Sequence, residues 1–144
     1  MARAAGVAAL VLLGACAPHA GPVVEFHPSP AAGGPFSPSV RAGDLLFLSG
    51  VIGIDAGGKM APGGVRAEAR LALENLKAEL ARQGLGMDRV VKCTVLMADM
   101  SEWAAMNEVY VTYFPGSKPA RTAFAVAHLI FDARLELDCV AATR

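Results

Sequence analysis

The chain has 144 residues, 54% of them hydrophobic and 6% aromatic, with 13 Lys+Arg balanced by 13 Asp+Glu. That length sets one ordinary domain around one core. The balanced charge has neither the basic stripe nor the acidic tail of a nucleic-acid or polyanion binder, so the expected partner is a small molecule.

In the opening stretch, MARAAGVAALVLLGACAPHA, Arg3 precedes an apolar run from Ala4 to Ala15 that is too short to cross a bilayer as a helix. It reads as a secretory signal. The run ends in Leu13-Gly14-Ala15-Cys16, which resembles the lipobox of bacterial lipoproteins. This resemblance implies removal of residues 1–15, a lipidated Cys16 and a domain anchored to the membrane on the periplasmic side. The alternatives are cleavage at Ala15-Cys16-Ala17, releasing a soluble periplasmic protein, or an upstream start on a cytoplasmic one. Residues 16–32 read as a tether plus a first short strand, and residues 33–144 as the folded domain.

Val23–His27 is that short strand, stopped by Pro28 and Pro30. A second strand, Asp44–Gly50, is entered through a Gly43-Asp44 turn. From Val65 to Gln83 the residues Ala69, Leu73, Leu76 and Leu80 recur at helical spacing, Glu68 and Glu79 fall among the charged residues of the other faces, and Gly84 is placed to end the helix. Val90–Met97 alternates as a strand. Asp99 and Glu102 read as a capping pair for a helix carrying Trp103, Asn107, Tyr110 and Phe114 on one stripe, expected to be core. Strands over Arg121–Leu129 and Arg134–Ala142 close the chain.

The order ββαβαββ indicates an α/β or α+β sheet with two helices covering one face. Its other face then needs a cover, and oligomerisation supplies one. Cys93 and Cys139 read as buried thiols, with a disulfide between them the alternative in an oxidising compartment. No cysteine–histidine spacing suits zinc, and His19, His27 and His128 are isolated, so no metal is expected.

One residue stands out in this pattern. Arg121 opens an apolar strand, KPARTAFAVAHL, where an unpaired charge is costly and a side chain or a ligand must supply the partner.

Several segments are recognisable together. Phe36–Gly50, Ala72-Leu73-Glu74-Asn75-Leu76-Lys77, Pro119-Ala120-Arg121-Thr122-Ala123-Phe124 and Leu135-Glu136-Leu137-Asp138 resemble the Rid, or YjgF-like, family of reactive intermediate deaminases. The resemblance runs from about Phe36 to Ala142. It implies an α+β, chorismate-mutase-like domain with a mixed sheet, which forms homotrimers with ligand sites between subunits. It also implies that Arg121 grips the carboxylate of a 2-imino or 2-enamino acid and that Glu136 positions water or relays a proton. Phe36, Ser49, Gly50, Asn107 and Ala123 fall at positions lining the same pocket.

The implied activity is hydrolysis of a C–N bond, from imine or enamine to 2-keto acid and ammonia, without metal or organic cofactor. A membrane-tethered module that binds a small carboxylate without turning it over is the alternative, and a purely structural Arg121 paired with Asp138 or Glu136 is a third reading. The chain departs from the family pattern at Phe36, where many active members carry tyrosine, at Val51 for a frequent glutamine, and at Ile130 for a frequent proline. If the last two strands run antiparallel, Arg121 and Glu136 start from opposite ends of the sheet, and each site then combines groups from two subunits.

Overall fold

The computed structural model describes residues 21, 23–29 and 34–144. The signal segment, Cys16 and most of the tether lie outside them. The sheet is organised by β5 (Val90–Met97), which buries Cys93, Val95 and Met97 while Thr94 and Leu96 face the other way. Strand β7 (Leu135–Ala142) lies antiparallel beside it and buries every second residue from Leu135 to Ala141. On its other flank, β6 (Ala120–Ala125) runs parallel, a pairing that needs a crossover connection such as the helical segment between the two strands.

Beyond β7 follow β3 (Leu45–Leu48), β2 (Ser39–Ala42) and β1 (Val24–His27), each antiparallel to its neighbour. The short β4 (Val51–Ile52) also pairs with β7. The strand order is β1-β2-β3-β7-β5-β6, which leaves β6 at one edge. Two features differ from the sequence expectation. Ser39–Ala42 is a strand of its own, hairpinned to β3, and it pairs with the expected short strand over Val23–His27, which is present as β1, the outer strand of the sheet. The strand expected to reach Leu129 ends at Ala125, and a helical turn at Ile130–Asp132 follows it.

Helix α1 (Val65–Arg82) buries Ala69, Leu73, Leu76 and Leu80 completely, and Gly84 takes the left-handed conformation (φ 72°) that stops it. Two of its glutamates depart from the expected pattern. Glu68 and Glu79 are 6% and 7% exposed, because each finds partners on the sheet side. Ser39 donates its hydroxyl to Glu79 at 2.6 Å, and the Arg134 backbone N–H donates to Glu68 at 2.7 Å. Such partners offset the desolvation of a buried carboxylate. Helix α2 (Trp103–Tyr110) follows a short helical turn capped by Asp99, whose carboxylate accepts from the Ser101 N–H at 2.8 Å and is held below its usual range mainly by that bond. Glu102 does not complete the expected box, since it binds Arg134 at 2.7 Å.

Both helices lie on the side of Cys93, Val95, Leu135 and Leu137, where they form the core. The opposite side leaves Leu45, Phe47 and Phe124 between 40% and 46% exposed. Cys93 and Cys139 face one another across β5 and β7 and form a disulfide, 0% and 1% exposed. The expectation of two thiols is therefore corrected: direct antiparallel pairing brings the Cα atoms to 4.1 Å. Closing a loop with a sequence separation of 46 restricts the unfolded chain. Replacing both cysteines by alanine is expected to cost about 2–4 kcal/mol of unfolding free energy, measured by urea denaturation under non-reducing conditions.

Candidate functional site

Arg121 sits in β6 beside Cys93 of β5, and paired strand residues point to the same side of a sheet. Its side chain therefore faces the helices. There the guanidinium carbon lies 4.6 Å from the centre of the Trp103 ring and 4.5 Å from that of Tyr110. These two residues and Asn107 share one face of α2, one to two turns apart. Among the described residues the Arg121 side chain has no ion pair. It opens on a cavity of about 210 Å³ lined with Tyr110, Val111, Lys118 and Pro119.

The polar groups near it are also unspent. The Tyr110 hydroxyl and the Asn107 Oδ1 are buried without a hydrogen-bond partner among the described residues. Burial pushes the Tyr110 hydroxyl pKa up, and the charge of Arg121 pulls it partly back. Ala123 lies two residues along β6 on the same side, beside Val95, and packs on the core.

Glu136 lies in β7 between Leu96 of β5 and Ile52 of β4. Leu96 is on the open side of the sheet, so Glu136 is too. Its carboxylate rests on the backbone of Gly50: a Cβ there would meet Glu136 Oε1 at 1.8 Å and Cδ at 2.8 Å. Only a glycine leaves that space. Ser49 braces the same corner by donating its hydroxyl to the Ser37 carbonyl at 2.7 Å and its N–H to the Pro38 carbonyl at 2.9 Å. Phe36, one residue before Ser37, is 62% exposed.

The expected site residues thus form two clusters. Arg121, Asn107 and Ala123 belong to the helix side at the sheet edge, and Ser49, Gly50 and Glu136 to the open side, with Phe36 one residue before Ser37, whose carbonyl Ser49 binds. One chain does not bring Arg121 and Glu136 together. Their register partners on β5, Cys93 and Leu96, are three residues apart and point to opposite faces. At about 3.3 Å per residue and 4.8 Å per strand, their Cα atoms are about 14 Å apart even before the side chains diverge. Asp138 pairs with Thr94 and shares Glu136's side, so Arg121 has neither of the carboxylates proposed for a structural pairing. The aromatic stripe of α2, expected to be core, is divided. Tyr110 and Phe114 are 3% exposed and packed in the core, whereas Trp103 is partly exposed and meets Arg121. A signal for this was present in the sequence, as an arginine without an obvious carboxylate and an aromatic pair at i, i+7.

The family model described as Endoribonuclease L-PSP matches residues 26–143. The chain belongs to this family, the Rid or YjgF-like family. A mouse Rid relative named 2-iminobutanoate/2-iminopropanoate deaminase is 43% identical over 120 residues, covering 83% of this chain and 89% of its own. Reactive Intermediate Deaminase A of Arabidopsis thaliana is 38% identical, covering 83% of this chain and 64% of its own. Among solved structures, E. coli TdcF with bound serine is 35% identical with a TM-score of 0.73, covering 83% of this chain and 97% of that one.

The Gly50–Glu136 contact in this Rid chain is open to test. Gly50 does not have a positive φ, so Gly50→Ala strains no backbone and acts by forcing the flexible Glu136 carboxylate aside. The variant is expected to lose about 1 kcal/mol of stability or less, with Glu136 displaced in its crystal structure.

Proposed function

We propose that the protein hydrolyses 2-imino acids, and 2-enamino acids after tautomerisation, to 2-keto acids and ammonia at sites shared between the subunits of a homotrimer. The observation that carries this reading is a guanidinium at a small cavity with no anionic partner among the described residues. A planar fork in such a place binds a carboxylate through two parallel hydrogen bonds. The names of the mouse and Arabidopsis relatives point the same way. The family description names RNA cleavage instead, yet a chain with 13 basic and 13 acidic residues has no net attraction for a polyanion.

In the proposed reaction Arg121 of one subunit fixes the substrate carboxylate, and Glu136 of a neighbour takes a proton from water as the oxygen adds to the imine carbon. From the protonated imine this gives a carbinolamine, and the proton then passes from Glu136 to its nitrogen. The C–N bond breaks as Glu136 takes the hydroxyl proton and the C=O forms. The keto acid and ammonia leave, the last proton going to ammonia or solvent. For an enamine, Glu136 in its protonated form first delivers a proton to the β-carbon. No electrons change hands. Because imine hydrolysis is intrinsically fast in water, orientation and one proton relay suffice, and the missing Phe36 hydroxyl leaves more of the relay to Glu136.

The opposite facing of Arg121 and Glu136 in one chain supports a composite site, and the exposed Leu45, Phe47 and Phe124 support a partner subunit on the open face. An exported, lipid-anchored location through Cys16 is part of the proposal, supported by a disulfide of the kind that persists in oxidising compartments.

The first test generates 2-iminobutanoate in place with an amino acid oxidase and traps the imine with semicarbazide. The protein is expected to compete with the trap, and Arg121→Ala and Glu136→Gln each to lower the rate by about 100-fold. Keto acid binding without any competition would instead mark a tethered binding module. Refolding Arg121→Ala and Glu136→Gln chains together is expected to restore about one quarter of wild-type activity, because random mixing leaves one intact composite site in most trimers. No recovery would count against a site that combines Arg121 of one subunit with Glu136 of another.

A further inference from the structure

We propose that Trp103 and Tyr110 are positioning residues for Arg121: their rings hold its guanidinium where a carboxylate would ordinarily hold it, and so keep its N–H groups free for the substrate. The inference rests on the reading of Arg121 as the carboxylate-binding group. An arginine is usually placed by an acidic side chain, which consumes the donors that a ligand needs. An aromatic face attracts the cation without accepting those in-plane N–H groups. Both rings lie within 4.6 Å of the guanidinium carbon.

Each part of this seat is fixed from elsewhere. Tyr110 is 3% exposed and packs on Phe114 with ring centres 4.8 Å apart, so its ring belongs to the core. Trp103 packs against the same core. The carboxylate next to it in the chain, Glu102, is bound to Arg134 at 2.7 Å, which leaves it engaged away from Arg121. Arg134 also lies 3.7 Å from Glu68, so Arg134 is held by two carboxylates while Arg121 rests on two rings.

Trp103 is the only tryptophan in the chain, so its emission reports on this seat. Titrating the wild-type protein with 2-oxobutanoate, a stable product-like carboxylate, is expected to change that emission, with no change in Arg121→Ala. Calorimetric titrations of Trp103→Leu and Trp103→Met, which keep apolar bulk without a ring, are expected to show about tenfold weaker binding. The KM for imine hydrolysis is expected to rise in proportion, with kcat less affected and melting temperatures close to wild type. Trp103→Phe and Tyr110→Phe keep the rings and are expected to stay within about threefold of wild type.

Unweakened binding in both ring-less variants would overturn the seat while leaving Arg121 as the anion-binding group. No keto acid binding by the wild type would overturn the reading of Arg121, and the seat with it. A loss in Tyr110→Phe as large as in Arg121→Ala would put the hydroxyl on the ligand and overturn the positioning role of Tyr110.

Discussion

Side chains alternate across a β-strand, and β5 imposes one alternation on the neighbours at both its flanks. Residues level with Cys93 and Val95 are turned toward the helices, and residues level with Thr94 and Leu96 toward the open side. Core, disulfide and arginine therefore belong to one face, and the acidic group to the other. A register slip of one residue in β6 or β7 would exchange the faces, burying Glu136 under the helices or pushing Arg121 off its rings. The disulfide, which joins the centre of β5 to β7, holds one of these registers covalently.

Much of this architecture was legible in the sequence because its signals are periodic. Leu73, Leu76 and Leu80 of α1 repeat at helical spacing and lie in the core, while the alternation of Val90–Met97 marks the central strand. Signals that depend on distant partners were not legible. Glu68 and Glu79 look like surface charges because Ser39 and the Arg134 amide, which satisfy them, are far away in the chain. Glu102 has the spacing of a capping residue, yet a guanidinium outcompetes a backbone N–H for it.

The candidate site divides in the same way. Family resemblance singled out Arg121, Glu136 and Gly50, and a local steric fact, the carboxylate lying on the glycine backbone, links the last two. The aromatic support of Arg121 was missed because Trp103 and Tyr110 match a core stripe equally well. Tyr110 serves as both, since one side of its ring meets Phe114 and the ring also lies beneath the guanidinium. Periodicity reports that a residue is covered and is silent about what covers it.

The sulfur bridge lies at 0% and 1% exposure between two strands of the finished core. An oxidant has no path to those atoms once α1 and α2 have closed over them. Bond formation must therefore precede, or accompany, docking of the helices. The order of events becomes part of the protein's chemistry: a chain that packs before meeting its oxidant is trapped as a dithiol, whereas one that meets it while still open carries the bond into an interior that then shields it from reductant.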